Sequence, residues 1–134
     1  MLELEVLSRE ECDRHLRDSA VARVAVCTPD GPHVVPVNYA LVDDAVVVRT
    51  VAASVLGTHA PGNVVCLEVD DISPVLHAGW SVLVRGRAEA LTPDALDAPL
   101  RTWVPRESDV VLRLRLAECE VSGRLLPAGA GRRS

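Results

Sequence analysis

Phenylalanine is absent from the 134-residue chain, and aromatic side chains make up only 2% of it. A core without large rings has to be assembled from Val, Leu and Ala, and branched residues fit a pleated sheet better than a helix. The expectation is a β-rich domain. Lysine is missing as well: the 14 basic residues are all arginines, set against 19 acidic ones, for a net charge of −5. That balance, with no basic stripe and few rings on which bases could stack, argues against a nucleic-acid partner. No apolar run reaches the roughly 18 residues of a membrane span, and the opening MLELEVLSREE is too acidic for a signal peptide, so a cytoplasmic protein without a membrane partner is expected. Cys12, Cys27, Cys66 and Cys119 are widely separated with no C-x-x-C, and His15, His33, His59 and His77 show no i, i+4 spacing. Neither set reads as a metal centre, and the cysteines read as small buried hydrophobes. There is no G-x-S-x-G and no P-loop, and neither Ser8 nor Ser54 has a His or Asp at a motif spacing, so hydrolysis is unsupported.

What the chain does have is ordinary globular chemistry, 49% hydrophobic and 25% charged, in one domain that buries about two-thirds of its unfolded surface. Ser8-Arg9-Glu10-Glu11 is a capping box and starts a helix over 8–19. Ala22, Val24 and Val26 alternate in a half-buried strand that ends at the turn Pro29-Asp30-Gly31-Pro32. His33 to Leu41 forms the returning arm, and Asp43-Asp44 turns into a third strand, Ala45 to Arg49. Pro36 within the second arm needs a place where its missing N–H is not wanted. A helical turn over 52–59 follows, then the breaker Pro61-Gly62-Asn63, a strand from Val64 to Val69, a loop over 72–78, and a strand Ser81 to Glu89 in which Gly86 marks a bulge or a close backbone approach. Thr92-Pro93-Asp94 opens another short helix, and Val110 to Val121 reads as one long strand with Arg113 and Arg115 on its outer face. Residues 126–134 read as a frayed tail. Six strands with meandering connections and short helices give a mainly β fold, a closed or partly closed antiparallel barrel.

The ordered set Ala22-Arg-Val-Ala, Pro32-His-Val-Val-Pro-Val-Asn-Tyr, Val48-Arg49-Thr50 with Ser54-x-Leu56, Leu67-Glu-Val-Asp and Gly79-Trp-Ser-Val-x-Val-x-Gly86-Arg-Ala resembles the pyridoxamine 5′-phosphate oxidase-like, FMN-binding split-barrel family, in particular its small actinobacterial branch, over residues 8–125. The resemblance implies a six-stranded split barrel and a homodimer with FMN at the interface. It also implies hydride transfer between the flavin and an unidentified small molecule. It places the phosphate where the third strand enters the short helix, with Arg49, Thr50 and Ser54 around it. Val35, Pro36, Val37 and Asn38 would pass along the flavin ring, Ser81 would make a polar contact, and Trp80 would shield the ring. The family's usual Ser-Lys-Leu is Ser54-Val55-Leu56 here, which removes a cation, and Arg23, Arg49 and Arg85 are the candidates to replace it. No protein-borne catalytic residue is assigned. The alternatives are a non-catalytic binder of flavin, deazaflavin or haem, and a degenerate barrel that serves as a dimerisation module.

Overall fold

A computed structural model describes residues 5–92 and 109–126 of the chain. Strand β1 (Glu5–Val6) leads into helix α1 (Arg9–Asp18). Ser8 caps this helix as its sequence requires: its hydroxyl accepts from the Glu11 N–H while the Glu11 carboxylate accepts from the Ser8 N–H. Cys12 and Leu16 form the buried side of α1. Strands β2 (Val21–Thr28) and β3 (Gly31–Val42) make the first hairpin, and β3 and β4 (Ala45–Val51) the second. At the second turn Asp43 and Asp44 have φ of 49° and 60°, the left-handed pair that a two-residue hairpin turn demands and that Asp tolerates better than most residues. Helix α2 (Val55–His59) follows, then β5 (Val64–Ser73), β6 (Ala78–Arg87), β7 (Glu89–Leu91), β8 (Asp109–Arg115), a 3₁₀ turn (Leu116–Glu118) and β9 (Glu120–Leu126).

The nine strands among the described residues form one antiparallel sheet in the order β1-β9-β6-β5-β2-β3-β4-β8-β7. Between β6 and β7 the chain has only Ala88, yet the two strands are far apart in that order. The sheet must therefore curl until its far edge returns beside β6, and a parallel bridge between Pro61 and Ala88 lies at that closure. The result is a split barrel filled by Val24, Val26, Val46, Val48, Leu67, Val69, Val82 and Val84, with Leu16 and Leu56 plugging it from the two helices.

The mainly β class and the split barrel are as expected, but the described residues hold nine strands rather than six. The loop expected over 72–78 is shorter, because β5 runs to Ser73 and β6 starts at Ala78. The third strand continues past Arg49 to Val51, paired throughout with β8. The single long strand expected from Val110 to Val121 is instead two, broken by the 3₁₀ turn, since β8 pairs with β4 and β9 with β6, on either side of the split. Gly86 sits in unbroken register with Val65, so there is no bulge there. The close approach is real, because an added Cβ would collide with Cys119. The helix expected from Thr92-Pro93-Asp94 lies outside the described residues, as does the tail beyond Leu126, the last residue of β9.

Candidate functional site

Strand β4 divides the expected phosphate residues between its two sides. Side chains alternate along a strand, so Val46, Val48 and Thr50 share the core side while Ala45, Val47 and Arg49 share the other. Val47 is nonetheless fully buried outside the main cluster, and Val111 of β8 beside it is too. On that outer side the Arg49 side chain is only 8% exposed. Its Nε donates to Asp109 Oδ2 at 3.1 Å, and the Asp109 side chain is 9% exposed. The carboxylate offsets the cost of burying the guanidinium. One nitrogen is left over, because Arg49 Nη2 is buried and has no hydrogen-bond partner among the described residues. A buried N–H without an acceptor is costly and uncommon, and an acceptor supplied from outside the chain would remove that cost.

Thr50 and Ser54 meet on the core side, with their hydroxyl oxygens 2.9 Å apart. Ser54 Oγ donates to the Val51 carbonyl at 2.6 Å and accepts from the Gly57 N–H at 3.0 Å, capping α2. A hydroxyl has one proton, so in the contact between the two it is Thr50 that donates. Both protons are thus spent inside the corner, and an anion would be met there by oxygen lone pairs unless a hydroxyl turned. Of the groups expected to grip a phosphate, Arg49 is the one with a donor to spare. Val55, the first residue of α2, is exposed.

Strand β3 offers a second feature. It pairs with β2 through residues 31–38 and with β4 only through residues 39–42, so its first two-thirds has one edge without a strand partner among the described residues. Tyr39 N–H donates to the Ala20 carbonyl on the β2 side. By alternation the backbone groups of Val34, Pro36 and Asn38 turn to the open edge. Pro36 lies where no ladder hydrogen bond is lost, which answers the question its sequence position raised. Val35 and Val37 pack inward on the core, while the side chains of Pro36 and Asn38 are exposed.

Trp80 and Ser81 are neighbours on β6 and therefore face opposite ways. Trp80 points to the core side, where its indole stacks on the His15 ring of α1 with centroids 3.8 Å apart. Burial, the larger cause, and the nearby Arg14 push the His15 imidazole below its usual range, towards the neutral form. Ser81 lies on the outer side between Asp70 and Arg124 of the adjoining strands. The other candidate cations are engaged: Arg23 Nη1 bridges Glu68 at 3.0 Å and Asp70 at 2.8 Å, and Arg85 stands 3.5 Å from Glu120 in the open. Burial and the adjacent Asp70 push the Glu68 carboxyl up. Sequence reasoning assigned no role to Asp109 and placed Arg113 only on an outer strand face. The signal for both is the register between β4 and β8, which no local pattern carries.

The sequence model of the pyridoxamine 5′-phosphate oxidase family matches residues 8–125. The uncharacterised protein Rv0080 of Mycobacterium tuberculosis is 33% identical over 117 residues, covering 81% of this chain and 77% of that one. Among solved structures, the FAD-binding protein of Mycobacterium smegmatis is 28% identical, with a TM-score of 0.78 over 93% of this chain and 100% of that one. A conserved Corynebacterium diphtheriae protein of unknown function is 25% identical, with a TM-score of 0.71 over 92% of this chain and 98% of that one.

Proposed function

The chain belongs to the pyridoxamine 5′-phosphate oxidase family, and from that premise we propose that it is a homodimeric flavoprotein holding FMN between its two copies. The observation that carries this reading is the buried Arg49 guanidinium, whose Nη2 has no partner among the described residues and is suited to a phosphate oxygen. The open edge of β3 supports it, because the backbone groups of Val34 and Asn38 can hydrogen-bond the polar rim of the ring while Pro36 offers only its carbonyl. Thr50 and Ser54 act one step back by fixing where β4 ends and α2 begins. Ser81 is on the outer side of β6, between Asp70 and Arg124, whereas Trp80 braces α1 through His15. A bound flavin would itself accept and donate the hydride, which agrees with a chain in which no nucleophile and base pair is legible. The reaction proposed is hydride transfer to or from a small molecule.

FAD is the second reading, favoured by the Mycobacterium smegmatis FAD-binding protein. The absorbance spectrum of the purified protein, followed by titration with FMN and with FAD, tests both. Flavin bands in the visible and saturable uptake at micromolar concentration or below are expected. Tighter uptake of FAD than of FMN would select the dinucleotide. A haem Soret band without flavin, or no uptake of either flavin, would overturn the reading.

A further inference from the structure

With Val55 where a lysine is usual, a phosphate at Arg49 lacks its second cation, and the register of β4 on β8 offers a replacement. Arg49 lies opposite Val111, and Val47 opposite Arg113. Directly paired residues share a side of the sheet, so these four form a square on the outer side, with the arginines on one diagonal and the two fully buried valines on the other. Diagonal neighbours are about 7–8 Å apart at Cα, close enough for two long side chains to meet one small group. Arg113 Nη2 donates to Glu89 Oε2 at 2.8 Å, while its Nε is buried and has no partner among the described residues. The two buried side-chain nitrogens without partners among the described residues are thus one from each arginine of the square. Arg115, on the same side, bonds Glu89 through Nε at 2.8 Å. Among the described residues, three guanidiniums on this side, those of Arg49, Arg113 and Arg115, share two carboxylates, Glu89 and Asp109.

We propose that Arg49 and Arg113 form a two-arginine oxyanion site on the outer side of β4 and β8, and that Arg113 takes over the work of the missing lysine by holding the flavin's phosphate. This rests on the flavin reading for the identity of its ligand, though not for the existence of an anion site. Arg23 and Arg85 are excluded from the role, the first by its two carboxylates and the second by its place on β6 beside Glu120.

The test compares the affinity for FMN with that for riboflavin, which has the same ring and no phosphate, in the wild type and in Arg113→Gln. The variant is expected to lose about tenfold or more in FMN affinity, the worth of a charge-assisted hydrogen bond, and nothing for riboflavin. Glu89→Gln removes the partner of Arg113 without touching its Nε and is expected to keep the wild-type ratio. Val55→Lys in the Arg113→Gln background is expected to restore FMN binding. Equal losses for FMN and riboflavin, or a Glu89→Gln variant as impaired as Arg113→Gln, would assign Arg113 a structural role and overturn the proposal. If the wild type takes up neither flavin, the flavin reading fails and the anion site is judged separately. Pyrophosphate should then raise the melting temperature of the wild type but not that of Arg49→Gln or Arg113→Gln. No rise in the wild type would overturn the site itself.

Discussion

Tyr39, the one tyrosine of the chain, ties α1 to the barrel: its hydroxyl donates to the Leu16 carbonyl at 2.7 Å, one of the last four carbonyls of the helix and so in need of a donor. Burial pushes this phenol up to about 12, whereas an unfolded tyrosine ionises near 10. The folded chain holds the proton more tightly, so the contribution is whole below a pH of about 10 and is lost as pH rises from there through about 12, a change of about 2 kcal/mol. Denaturant midpoints measured across that range should show the fall in the wild type and a flatter profile in Tyr39→Phe, which should also be about 1 kcal/mol less stable at neutral pH from the lost hydrogen bond. An equal alkaline fall in the variant would place the titrating group elsewhere. At this scale the sequence was informative about residue types and blind to partners. Arg49 stood out as a cation at a strand end, but its ion pair with Asp109 spans 60 residues and exists only because β4 lies on β8. Trp80 and Ser81 read as one contact surface because they are adjacent, and the pleat separates them.

Helix α2 has only five residues and owes its position to Ser54 at its start and to Gly57 within it. A Cβ on Gly57 would run into the carbonyl oxygens of Val51 and Ala52, so the helix lies directly on the chain that leaves β4. Two effects of Gly57→Ala then oppose each other. Helix propensity favours Ala by about 1 kcal/mol, while pressing a methyl into backbone that cannot yield costs about 1–3 kcal/mol. The clash should win, and urea unfolding should show net destabilisation; a stabilised variant would mean that α2 does not rest on that backbone. Elements with local signals were legible: the capping box at Ser8, the turn around Asp30-Gly31, and the alternation of β2. The break between β8 and β9 was not. Leu116-Ala117-Glu118-Cys119 holds no Gly or Pro, and the one local sign is a slip of the alternation, from apolar even positions up to Leu116 to apolar odd positions from Ala117 on, which the reading of a single strand passed over. The turn is imposed from outside, as the Leu116 N–H donates to the Asp44 carbonyl at 3.1 Å and the strand changes partners.

For the molecule as a whole, the β-rich class followed from composition, because a core without large rings is built from branched residues that suit a sheet, and the barrel followed from the run of meandering strands joined by short helices. The strand count did not follow, since short edge strands such as β1 and β7 are too brief to carry a period. One consequence of the curled sheet concerns its outside. Along the open part of β3, Val34 and Pro36 are exposed next to backbone that has no strand partner among the described residues, an arrangement that a second copy of the chain would cover. The proposed cofactor lies on that same outer side, so assembly and flavin uptake should go together. Sedimentation velocity of the protein with FMN, recorded both in the ultraviolet and at the flavin's visible absorbance, measures the two at once. The account predicts visible absorbance moving with a species of twice 14.4 kDa. Flavin that stays behind as the free molecule at every protein concentration would contradict it.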